Sequence, residues 1–162
     1  MDRPFIGSRA LASGAVANKY RLRTGFRAIF PDVYLPDDGL VPTLRQLTEA
    51  AWLWSGQQGV ICGVAASALH GAKWIHDDTP VDLIHPSPRA PRGIVIHRDT
   101  LCPEEIQLIG SMSVTTPART AYDLGRWLTR DRAVARLDAL GHATGFRQEK
   151  VLDVIRQHPG SR

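Results

Sequence analysis

Turn-forming residues cut this chain into short periodic segments, and the order of those segments is the tightest constraint on its fold. Gly7–Gly14 has a helical pattern, with Ser8 placed as its N-cap and Gly14 as its stop. Ala15–Thr24 follows, with Val16, Tyr20 and Leu22 able to share an apolar side while Lys19, Arg21 and Arg23 project outward. Beyond Gly25, the strands Arg27–Phe30 and Val33–Leu35 are joined at Pro31-Asp32. Helix, turn, helix, hairpin is the order of a winged helix-turn-helix, here a reduced one. Pro36-Asp37-Asp38-Gly39 is the best linker candidate.

After the linker, Leu44, Leu47, Ala50, Ala51 and Trp54 recur at three- and four-residue spacing from Thr43, which predicts a strong helix. Trp52 and Trp54 stand two apart, so one is expected in the core and the other partly exposed. A short buried strand at Val60–Cys62 or a lead-in to a helix at Val64–His70 comes next. Strands are expected at Pro80–His85 and Gly93–His97, separated by the proline-rich loop 86–92, and then at Glu104–Ile109 and Gly110–Thr115. Thr116-Pro117 opens a helix, with proline at the first position, where its missing N–H is not needed. Two further helices follow at about Thr129–Ala143, bounded by Gly141, and Gln148–Gln157, ended by His158-Pro159-Gly160. The reading is an α+β chain: a reduced winged helix-turn-helix over 1–36, then an α+β domain over 37–162.

Charge separates the same two parts. Residues 1–36 carry six basic groups (Arg3, Arg9, Lys19, Arg21, Arg23, Arg27) against Asp2 and Asp32, while 37–162 carry fourteen of each sign. The whole excess of +4 therefore lies in the first part, where concentrated positive charge suits a polyanion. Lys19, Arg21, Arg23 and Arg27 are the candidates for phosphate contact, and Asn18 or Arg21 for a base edge, since arginine pairs with guanine and asparagine with adenine in the major groove. Phe26 and Phe30 read as packing residues of the hairpin rather than as base-stacking ones.

No complete catalytic or metal set stands out in the sequence. Cys62 and Cys102 form no C-x-x-C pair, and Cys62 sits in an apolar run that suits a buried reduced thiol. His76, Asp77, Asp78 and His85 lack the paired spacing of a zinc site, and the two aspartates suit a turn before Pro80. Asp82 and His97 on neighbouring strands invite comparison with metal-dependent nucleases, but Ile96-His97-Arg98 offers neither the second carboxylate nor the lysine. Ser67 lacks a Gly-x-Ser-x-Gly elbow, and Gly56-Gln57-Gln58-Gly59 lacks the Lys-Ser/Thr of a phosphate loop. His70 is expected to pack on Trp74 and hydrogen-bond internally, and Thr116 to cap the helix it opens. Arg119 and Asp123, four apart on that helix, read as an ion pair tying it to the sheet. With no apolar run of membrane-spanning length and no leader-like start, the expectation is a cytoplasmic protein without catalytic residues, metal or cofactor.

Several phrases resemble the AbiEi-like antitoxins of bacterial type IV toxin–antitoxin systems. They are Ala10–Gly14, Arg21–Gly25 and Ile29–Pro36 in the first part, then Ala65–Gly71, Pro80–Ile84 and, most specifically, Val114–Leu124. The resemblance spans nearly the whole chain. It implies a DNA-binding start that represses its own operon and an antitoxin-type α+β domain that counteracts a nucleotidyltransferase-type toxin. Ser67, His70, Asp82, Thr116, Arg119 and Asp123 lie within these phrases as candidate interaction or structural residues. Many actinobacterial chains of this arrangement continue into a nuclease-like domain similar to very-short-patch repair endonucleases, and this sequence stops close to where that domain would start. The alternatives are therefore the non-catalytic N-terminal region of such a nuclease-like protein, or an interaction module whose wing is silent toward DNA.

Overall fold

The computed structural model of the chain describes residues 2–87 and 89–161. Pro88, inside the proline-rich loop expected at 86–92, lies outside the described residues, as do Met1 and Arg162 at the limits of the two expected domains. Seven α-helices and two β-sheets among the described residues make this an α+β fold.

The first sheet is built from β1 (Phe5–Ile6), β2 (Phe26–Phe30) and β3 (Val33–Pro36), in the order β1-β3-β2 and antiparallel throughout. Between β1 and β2 run α1 (Gly7–Ala12) and α2 (Lys19–Gly25). The start of α1 is capped differently from the sequence expectation. Ile6 occupies the N-cap position, and its side chain cannot accept a hydrogen bond. The acceptor comes instead from the β2–β3 turn: Asp32 Oδ1 receives the Ser8 N–H at 2.8 Å and Oδ2 the Ser8 hydroxyl at 2.5 Å. The Asp32 carbonyl receives the Gly7 N–H at 2.8 Å. Asp32 sits at φ 60°, a left-handed conformation that aspartate tolerates better than most residues. Gly7 permits the close approach, because a Cβ there would lie 2.5 Å from the Tyr34 ring.

A second departure concerns Tyr20. It does not share the apolar side of α2 with Leu22; it is 73% exposed, while Leu22 is buried. Residues two apart on a helix stand about 200° apart around its axis, so only one of them can face inward.

Helix α3 (Leu44–Trp54) starts at Thr43 in a capping box with Gln46, and Asp77 Oδ1 also accepts the Leu44 N–H at 2.7 Å. Trp52 is buried and Trp54 half-buried, as their spacing predicts. The second sheet comprises β4 (Val60–Ile61), β5 (Val81–Ile84), β6 (Ile94–His97), β7 (Ile106–Ile109) and β8 (Met112–Thr115), in the order β6-β5-β4-β8-β7. The β5–β6 and β4–β8 pairs are parallel, and β4–β5 and β7–β8 antiparallel. Both expectations around residue 62 hold, because β4 leads directly into α4 (Gly63–Leu69). Residues 103–105, in part expected as strand, form a 3₁₀ turn instead.

Helices α5 (Pro117–Trp127), α6 (Arg130–Thr144) and α7 (Gln148–Gln157) follow, and α5 packs on α4, α6 and α7. Gly141 does not end α6. The helix runs through it to Gly145, which takes the left-handed conformation at φ 63° that closes a helix. One core joins Phe30 and Val33 of the first sheet to Leu44, Ala50, Ala51 and Trp52 of α3 and to Ile61, Leu83 and Val114 of the second sheet. A smaller core gathers Val64, Ala121, Leu124 and Leu140 among the helices.

The Asp32 cap gives a direct test. Asp32→Ala should lower stability by about 1–2 kcal/mol, the usual effect of removing a helix cap, whereas Asp32→Asn keeps a carbonyl acceptor and tolerates the left-handed backbone. Urea unfolding of the two variants checks this, with Asp32→Asn expected close to the wild type.

Candidate nucleic-acid interface

Helix α2 gathers three of the six exposed cations of the first part, Lys19, Arg21 and Arg23, on one short element. Its N-cap Asn18 accepts the Arg21 N–H through Oδ1 at 2.9 Å, and buried Leu22 anchors it from within. Seven residues make a rod only about 10 Å long. On the outward side, Tyr20 and Thr24 lie opposite Leu22, with Arg21 on one flank and Arg23 on the other. Lys19, Arg21 and Arg23 are exposed and have no side-chain partner among the described residues. Arg9, exposed on α1, is likewise without one. Three free cations therefore stand on α2 with an exposed phenol, and a fourth on α1.

Two of the sequence-predicted interface residues have partners within the chain. Arg27 sits on β2 beyond the C-terminal end of α2, and its Nη1 donates to the Leu40 carbonyl at 3.1 Å. It is turned toward the linker rather than grouped with Lys19, Arg21 and Arg23. Asn18 uses one acceptor site of its amide oxygen in the cap, which ties its side chain to the start of α2. The hairpin turn carries Asp32, whose carboxylate faces α1, and no cation, so it adds no positive charge for a DNA backbone. Phe30 is buried and Phe26 meets Phe5 edge to face at 4.9 Å, the packing roles expected of them.

The largest polar cluster among the described residues lies in the second part, centred on the buried Arg119, Asp123 and Glu105, with Asp99 and Arg126 at its partly exposed edge. Arg119 is fully buried on α5, where its Nε donates to Asp123 Oδ1 at 3.0 Å, the i to i+4 pair read from the sequence. Its Nη1 donates to Glu105 Oε2 at 3.1 Å and to the Thr100 carbonyl at 2.9 Å, and its Nη2 to Asp99 Oδ2 at 2.7 Å. Arg126 Nη2 bridges Asp99 and Asp123, and His158 Nε2 lies 2.7 Å from Glu105 Oε1. The two guanidinium groups lie over the Tyr122 ring at 5.4 and 4.6 Å. Burial pushes the Asp123 carboxyl above its ordinary range, against the pull of Arg119 and Arg126. Burial acts the same way on Asp99, but there the hydrogen bond and charge of Arg126, with the charge of Arg119, outweigh it and hold the carboxyl below its usual range.

Within this cluster Cys102, Glu105 and His158 bring three ligand types within 4.8 Å of one another. Glu105 already receives the Cys102 N–H at 2.8 Å and the Arg119 guanidinium, and that guanidinium lies 3.4 Å from His158 Nε2. A cation placed there would face the Arg119 charge, so the group acts as a hydrogen-bonded clasp holding the end of α7 to the body.

The remaining candidates have structural partners. His70 Nε2 lies 2.7 Å from the Thr115 carbonyl, and burial lowers the pKa of its ring; Trp74, expected to cover it, is 85% exposed instead. Asp82 pairs with His97 at 2.8 Å, and the His97 ring stacks on Trp127 at 3.6 Å. Gly63 leaves room for Asp82, since a Cβ there would lie 2.8 Å from its Oδ2. Thr116 caps α5 by accepting the Arg119 N–H, and the Ser67 hydroxyl is buried without a hydrogen-bond partner among the described residues. Arg126 stood at helical spacing from Asp123 and was open to discovery in the sequence. Asp99, Glu105 and His158 reach Arg119 from 20, 14 and 39 residues away, with no periodic signal. No described helix is long and apolar enough to cross a membrane. No protein-family model matches the chain, and neither does any curated protein.

Removing Arg119 leaves three carboxylates facing one another with one guanidinium. Arg119→Met should therefore destabilise the fold by about 3–5 kcal/mol. Arg119→Lys should rescue little, because an ammonium cannot reproduce the planar set of donors. Denaturant midpoints of the two variants against the wild type check this.

Proposed function

We propose that the chain binds double-stranded DNA through α2 and acts as a transcriptional regulator and antitoxin of a type IV toxin–antitoxin system. The observation that carries the DNA half is the cluster of Lys19, Arg21 and Arg23, exposed and unpaired on a helix anchored by Leu22. Cations already held in ion pairs have less to gain from phosphate; these three have no internal partner to give up. Arg9 on α1 is a further exposed, unpaired cation, and the excess of +4 in residues 1–36 supplies the local charge density that counterion release rewards. Arg21 and Arg23 carry donors for guanine edges as well as phosphate, and Tyr20 and Thr24 offer apolar surface to a thymine methyl group between them.

The antitoxin half rests on the resemblance in Val114–Leu124 and the other quoted phrases. In that reading the chain represses its own operon, and its second part meets a nucleotidyltransferase-type toxin through surface contacts. Within Val114–Leu124, Thr115, Arg119, Thr120 and Asp123 are all buried, so in this reading they hold the segment in place and do not themselves meet the toxin.

A gel-shift titration of Arg21→Ala combined with Arg23→Ala tests the DNA claim, using the promoter region of the chain's own operon. Loss of about two phosphate contacts should lower affinity by at least tenfold and flatten the dependence of log affinity on log salt by about 2. Unchanged affinity and slope would contradict it.

A further inference from the structure

The segment after α4 carries an exposed tryptophan whose ring has no aromatic or cationic partner among the described residues. Trp74 is 85% exposed, and its backbone is in the left-handed region at φ 65°, a costly conformation for a bulky residue. Arg136 of α6 holds it there by donating from Nη1 to the Trp74 carbonyl at 2.9 Å. The ring borders a groove of roughly 660 Å³ along α6, where Ala135, Ala139 and Ala143 recur every fourth residue and leave the helix surface low. A metabolite pocket of that size has a few polar groups converging inside it. Here the charged groups stand on the rim: Lys73 has no side-chain partner among the described residues, and Asp138, 74% exposed, has only His142 at 3.8 Å. An apolar centre with a charged rim and a projecting tryptophan is the anatomy of a protein interface.

We infer that this face is a two-fold interface between copies of this chain, with Trp74 of each copy seated in the alanine groove of the other. The occupant is a second copy because one patch holds both halves of the contact, the projection and the groove, as a two-fold interface requires. Its charges are complementary in the same way. Lys73 stands by the projection and Asp138 by the groove, so seating Trp74 brings Lys73 of one copy toward Asp138 of the other, and the pair is made twice. This inference stands apart from the DNA reading and does not depend on it.

Sedimentation equilibrium of the full chain over a concentration series tests it. The wild type should form dimers, and Trp74→Gly should raise the dimer dissociation constant at least tenfold. Glycine at this position also relieves the left-handed backbone, so an unfolded variant is not expected, and circular dichroism checks that. Ala135→Glu, at an exposed helical position, should raise the constant to a similar extent by filling the groove. Lys73→Asp should weaken the dimer a few-fold, and Lys73→Asp combined with Asp138→Lys should restore it. A wild-type chain still monomeric at about 1 mM, the weak end of specific association, overturns the inference. A dimer unmoved by Trp74→Gly and Ala135→Glu also overturns it, and a double charge reversal that restores nothing overturns the two-fold pairing.

Discussion

The structure depends on α3 being shared between two sheets. Phe30 and Val33 reach it from the three-stranded sheet, and Ile61, Leu83 and Val114 from the five-stranded one, so both sheets bury their apolar faces in one core. A segment of about 36 residues has too little core to stand alone. Burying a side chain such as Phe30 or Val33 contributes roughly 1.5–3 kcal/mol, which the first sheet gains only by docking on α3. The boundary read at Pro36–Asp37 therefore falls between two sheets with a common core. Helix α2 projects from this joint platform, with Leu22 and the Asn18 cap fixing it from within and at its start.

The second part is tied together by charge as well as by apolar packing. Arg119 holds α5 to the segment between β6 and β7 through Asp99, Thr100 and Glu105, and Glu105 in turn holds His158 at the end of α7. Burying two guanidinium groups and three carboxylates is unfavourable group by group, and the opposed pulls on Asp99 and Asp123 express that tension. Each partner has a direction as well as a charge, so the cluster fixes the angle of α5 in a way that an apolar contact does not. That is a physical role for Arg119 and Asp123 which requires no catalysis.

Features set by local spacing were legible in the sequence. The helix start at Thr43, Thr116 before Pro117, and the pairing of Arg119 with Asp123 are all decided within one helical turn, and all occur as read. Those set by chain crossings were not. The cap of α1 comes from Asp32, 24 residues downstream of Ser8, and nothing in either local sequence announces the other. Tyr20 departs from the apolar side for a local reason: it stands two residues from Leu22, and the helical angle between them turns it outward. Gly141 was read as a stop because glycine often ends a helix, yet Gly145, four residues later, takes the left-handed conformation that does so here. In the candidate interface, the identity of the cations was readable from charge density. Their freedom from internal partners, and the separation of Arg27 from the rest, needed the fold.

On the proposed function, α2 is the face that meets DNA. The most direct measurement is a nuclear magnetic resonance titration of the isotopically labelled chain with duplex DNA from its own promoter region, followed at backbone amides and arginine side chains. If α2 meets DNA, the largest shifts fall on residues 18–24 and on Arg9, with Arg27 and the Arg119 cluster little changed. Shifts concentrated elsewhere on the chain, or none at a DNA excess in low salt, would contradict it.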